Sequence, residues 1–100
     1  MKKEVYLTIL YDYYSNLFNE KQREYFENYY FLNQTLSEIS DNLSVSRNAI
    51  HKQIKMMEEK LEEYEKALNL YEKDLKLKEI ISSVNDDILK MKLEELINEW

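Results

Sequence analysis

Apolar and polar residues alternate along this chain with helical periods from end to end. Tyr6, Ile9, Leu10, Tyr13, Tyr14, Leu17 and Phe18 recur at threes and fours, which predicts a first helix over residues 4–18. Asn19 followed by Gln22 forms a capping box and starts a second helix, from Glu20 to about Leu32. Its apolar side is Tyr25, Phe26, Tyr29 and Tyr30. No basic residues interleave with these rings, so they read as core and interface and not as platforms for bases.

The chain is organised around Thr35 to Leu75. Thr35 with Glu38 is another capping box, and Ser46 caps a further helix eleven residues on. Leu36, Ile39 and Leu43 make one stripe, Ile50 and Ile54 another, and Val45 plugs the turn between them. Ser40 is small enough to let two steeply crossing helices approach. This is the pattern of a helix-turn-helix. The turn position that commonly carries Gly is Ser44, and a Cβ in the left-handed region costs on the order of 1 kcal/mol.

Past Ser46 there is no breaker before Ser82-Ser83. Ile50, Ile54, Met57, Leu61, Tyr64, Leu68, Tyr71 and Leu75 follow a 4,3 alternation, a heptad seam on one long helix. Such a seam is buried against the first helix, the tail helix or a second copy. The last option assigns Leu61, Tyr64, Leu68, Tyr71 and Leu75 to dimerisation. Glu58, Glu59, Lys60, Glu62, Glu63, Glu65 and Lys66 flank it as a solvated surface. Ser83 or Asn85 caps a last helix, with Asp86 and Asp87 at its positive end and a stripe of Leu89, Leu93, Leu96 and Trp100. The fold class is all-α: a three- or four-helix domain over 1–57, its recognition helix running on into 58–100, which ends in a docking helix.

Composition reinforces this picture. There is no Gly and no Pro among 100 residues, which disfavours sheets and phosphate loops, and no Cys, which excludes disulfides and thiolate chemistry. No apolar run is long enough to span a bilayer and no signal peptide is visible, so the expected location is cytoplasmic, without membrane insertion. The net charge is −6. Residues 46–57 depart from that sign, with three basic side chains and no acidic one. Arg47, Asn48, His51, Lys52 and Lys55 lie opposite Ile50 and Ile54, with Ser46 capping their helix, and these residue types contact phosphates and base edges. They are the candidate DNA-binding residues. The single His51 has no carboxylate at helical spacing, so no catalytic set, metal site, cofactor or small-molecule substrate is expected, and the chain does not read as an enzyme.

The block Thr35 to Ile54 resembles the helix-turn-helix of sigma factor region four. Residues 45–55, the acidic heptad helix through Tyr64, Leu68 and Tyr71, the Lys21-Gln22-Arg23 block and the tyrosine-rich first helix together resemble the YlxM family of small bacterial proteins. That resemblance implies a regulator linked to the signal recognition particle pathway, its members lying beside genes for the particle's protein and receptor, with no enzymatic activity. Carried onto this chain, the nucleic-acid-contacting positions are Ser46, Arg47, Asn48, His51 and Lys52. Two functions follow as expectations. One is a homodimeric DNA-binding regulator. The other is an adaptor for the particle's RNA or protein without sequence-specific DNA binding.

Overall fold

The computed structural model describes residues 1–99. Every regular element among them is helical: α1 (Lys3–Tyr14), α2 (Glu20–Tyr30), α3 (Leu36–Leu43), α4 (Arg47–Leu68), α5 (Leu70–Ser82) and α6 (Asp87–Asn98), with a 3-10 turn at Ser15–Leu17. They form two compact units, Met1–Leu68 and a second that begins at Asn69.

In the first unit, α1, α2 and α3 all pack on α4. Leu7, Leu10, Tyr11 and Tyr14 are the buried face of α1. The helix ends four residues earlier than its apolar stripe suggests. Phe18 must be extended to feed the Asn19 cap, so it is buried from outside the helix, and Leu17 is left exposed. The capping box at the start of α2 is complete: Gln22 N–H donates to Asn19 Oδ1 at 2.8 Å, and Asn19 N–H to Gln22 Oε1 at 3.0 Å. The Tyr11 and Phe26 rings stack at 4.3 Å, and Phe26 stacks on Tyr30 at 4.4 Å. The aromatics of the first two helices are thus mainly core, as their spacing implies, with Tyr29 at the rim.

The heptad seam divides. Ile50, Ile54, Met57 and Leu61 are buried, and the Tyr64 ring packs 5.8 Å from Tyr14 and 5.9 Å from Phe18. This half of the seam faces the chain's own helices. The helix then stops at Leu68, because Asn69 takes a left-handed conformation (φ 54°, ψ 35°). Asn tolerates that region better than most residues, so the interruption costs little. The expected unbroken helix to Ser82 is therefore two helices, and the second compact unit begins at Asn69.

Two of the acidic residues expected in solvent are not there. Glu65 is buried and accepts a hydrogen bond from the Tyr14 hydroxyl at 2.6 Å. Glu58 is mostly covered and accepts one from the Tyr30 hydroxyl. Tyrosines from α1 and α2 reach these carboxylates across the core, and a hydrogen bond to a charged group contributes about 1.5–3 kcal/mol.

In the second unit, α5 and α6 pack on each other, with Ile81 and Ile97 buried. Ser82 and Ser83 close α5, their hydroxyls donating to the carbonyls of Glu79 and Ile80. The cap of α6 therefore falls to Asp86, whose Oδ1 accepts from Leu89 N–H at 3.0 Å, and not to Ser83 or Asn85. Of the expected stripe on α6, Leu93 is half-buried while Leu89 and Leu96 are exposed. Trp100 lies outside the described residues.

Candidate nucleic-acid interface

The site is built on the turn between α3 and α4. Thr35 Oγ1 accepts from Glu38 N–H at 3.1 Å, and Glu38 Oε1 from Thr35 N–H at 3.3 Å, which fixes the start of α3. Ser44 ends the helix in the left-handed region (φ 56°, ψ 38°) without a Gly. The turn is held by its neighbours. The Ser40 hydroxyl donates to the Val45 carbonyl at 2.6 Å, and Val45 and Leu43 pack on a cluster of Tyr25, Ile39, Ile50 and Ile54. Ser40 thus does more than let two helices approach: it ties α3 to the residue entering α4. Ser46 Oγ accepts from Ala49 N–H at 3.1 Å and caps α4.

With Ile50 and Ile54 held inward, helical geometry turns Asn48, His51, Lys52 and Lys55 outward. All of them are exposed, as are Ser46 and Arg47. Among the described residues, neither Arg47 nor Lys52 has an ion-pair partner. Lys55 does: its Nζ lies 3.6 Å from Glu58 Oε1. Glu58 is fixed by Tyr30, but the Lys55 side chain stays 63% exposed, so the pair is weak and the ammonium can turn to another anion. Burial, and then the hydrogen bond to Glu58, push the Tyr30 hydroxyl well above the ordinary tyrosine range, so it stays a donor and keeps Glu58 in place.

One positioning contact leaves no mark in the sequence. Gln22 Nε2 donates to Gln53 Oε1 at 3.2 Å and joins the first turn of α2 to the side of α4. Gln53 sits between the buried and exposed faces, where periodicity assigns no role, and its partner is 31 residues away.

The residues offered for pairing between copies fare differently. Leu61 is fully buried in its own unit and Tyr64 is half-buried, so neither is available as a free seam. Leu68 and Leu75 are exposed and Tyr71 is half-buried. Asn69 separates Leu68 from the other two, so these three do not lie on one continuous helix. No cluster of metal-ligating side chains occurs among the described residues, and no described helix is long and apolar enough to cross a membrane.

A short capped helix, a tight left-handed turn and a second helix with an outward basic face define a helix-turn-helix protein. Residues 1–99 match the family model described as "Putative helix-turn-helix protein, YlxM / p13 like", UPF0122. A relative from Geobacillus sp. (strain WCH70) is 39% identical over 90 residues, covering 90% of this chain and 82% of the relative. One from Halalkalibacterium halodurans is 37% identical over 95 residues (95% and 87%), and one from Malacoplasma penetrans 40% over 89 (89% and 83%). All three carry the same family name. The chain belongs to the UPF0122 family.

Proposed function

We propose that this chain is a DNA-binding regulator that acts as a homodimer in the cytoplasm. Arg47 and Asn48, in the first turn of α4, contact base edges in a major groove. Ser46, His51, Lys52 and Lys55 hold the flanking phosphates, aided by the positive end of the helix. The observation that carries this reading is the exposure of Arg47, Asn48, His51 and Lys52 on a helix whose opposite side is locked into the core. The acidic remainder of the molecule opposes long-range attraction to nucleic acid, so binding is salt-sensitive and depends on this one face.

A mobility-shift assay at low salt with random duplexes tests the proposal. The wild-type chain shifts the duplex, and the Arg47→Ala, Lys52→Ala double variant does not. Absence of a shift by the wild type, or an equal shift by both, overturns it.

A second reading is favoured by the sign of the charge outside α4's first turns. There, acidic side chains exceed basic ones on both sides of the motif, which suits a basic protein partner. In this reading the chain is an adaptor of the signal recognition particle, bound through the particle's protein or RNA. Pull-downs that offer the two components separately distinguish it: retention of either one without duplex binding favours the adaptor.

A further inference from the structure

The α5–α6 hairpin has more apolar surface than it covers. Among its described residues only Ile81 and Ile97 are buried large apolar side chains, whereas Leu75, Ile80, Ile88, Leu89, Met91 and Leu96 are exposed. A hairpin of about this size buries too little apolar surface by its own packing to be stable without further burial, a disulfide or a metal. The chain has no cysteine, and no metal-ligating cluster occurs among the described residues.

The sequence of α6 says what fits there. Leu89, Leu93 and Leu96 are spaced 4 and 3, a heptad seam in which Lys92 and Glu99 occupy the same flanking position one heptad apart. Ile97, on the opposite flank, is already buried where α5 packs, so the Lys92 and Glu99 flank is the one left for a partner. Two copies of α6 laid antiparallel, with Leu93 opposite the second copy's Leu96, bring Lys92 opposite the second copy's Glu99. Two-fold symmetry then makes that pair twice. A parallel pairing instead sets Lys92 beside Ile97, and it places Asp86 and Asp87 at the helix start next to their own copies.

We propose that α6 is the dimerisation element, joining two copies antiparallel through Leu89, Leu93 and Leu96 with reciprocal Lys92–Glu99 pairs. This rests on the homodimer reading above and moves its interface from the long seam to the last helix. The two hairpins together form a four-helix bundle, in which each α6 is covered by its own α5 on one side and by the second copy on the other.

Sedimentation equilibrium of the full chain, without nucleic acid, tests it. The wild type is a dimer. Leu89→Glu with Leu96→Glu, both exposed positions that leave the first unit's core untouched, weakens association at least tenfold. Lys92→Glu alone and Glu99→Lys alone each weaken it, and the two together restore it. Leu61→Ala is the control, since it loosens the first unit's core without dissociating the dimer. A monomeric wild type, a dimer indifferent to Leu89 and Leu96, or a charge swap with no rescue each overturns the proposal. All these readouts are independent of whether the basic face binds DNA.

Discussion

Three tyrosines hold the first unit by donating to carboxylates: Tyr11 to Glu27, Tyr14 to Glu65 and Tyr30 to Glu58. The rings are placed by apolar periodicity, which is visible in the sequence. The pairs are not, because the partners lie 16, 51 and 28 residues apart and only the packed helices bring them together. That is why Glu58 and Glu65 read as solvated. Burial, then the hydrogen bonds to Glu27 and Glu58, raise the Tyr11 and Tyr30 hydroxyls above their ordinary value. A phenol with a raised folded pKa contributes stability that is fully present below the unfolded value, roughly 10, and is lost as pH rises beyond it. The unfolded chain releases those protons first. The midpoint of thermal unfolding between neutral and strongly alkaline pH therefore falls steeply for the wild type. It falls less for the Tyr11→Phe, Tyr30→Phe variant, and an equal alkaline loss in both contradicts this account.

At the scale of elements, most starts are legible and several stops are not. Asn19 with Gln22, Thr35 with Glu38 and Ser46 announce their helices through local side-chain chemistry, and each makes the bond its spacing implies. Stops depend on more. Asn69 interrupts a continuous apolar stripe by a choice of backbone region that no neighbouring Gly or Pro signals. Ser82 and Ser83 look like caps but close the preceding helix, which leaves Asp86 to open the next. Loss of a start is measurable. Thr35→Ala removes the acceptor of the Glu38 N–H, and denaturant unfolding should show a loss of about 1 kcal/mol. An unchanged midpoint means that the tertiary packing of α3 makes the cap redundant.

Across the whole molecule, the candidate interface was the most legible part, because a reversal of charge sign and a buried stripe opposite it both appear in a dozen residues. Ile50 and Ile54 are buried, and Arg47, Asn48, His51 and Lys52 are exposed. Lys55 is the exception in degree, since Glu58 shares it. What covers the heptad seam was harder to read. A heptad seam says that a stripe is buried but not by what, and here the chain's own α1 and α2 take the half of it that α4 carries.

Contact between the outward face of α4 and phosphates is the proposal on which the rest depends. The most direct measurement is the salt dependence of duplex binding, followed by fluorescence anisotropy, for wild type and for Lys52→Ala. The expected result is a slope of log affinity against log salt that becomes shallower by about 1 when Lys52 is removed. An unchanged slope, with affinity also unchanged, contradicts it.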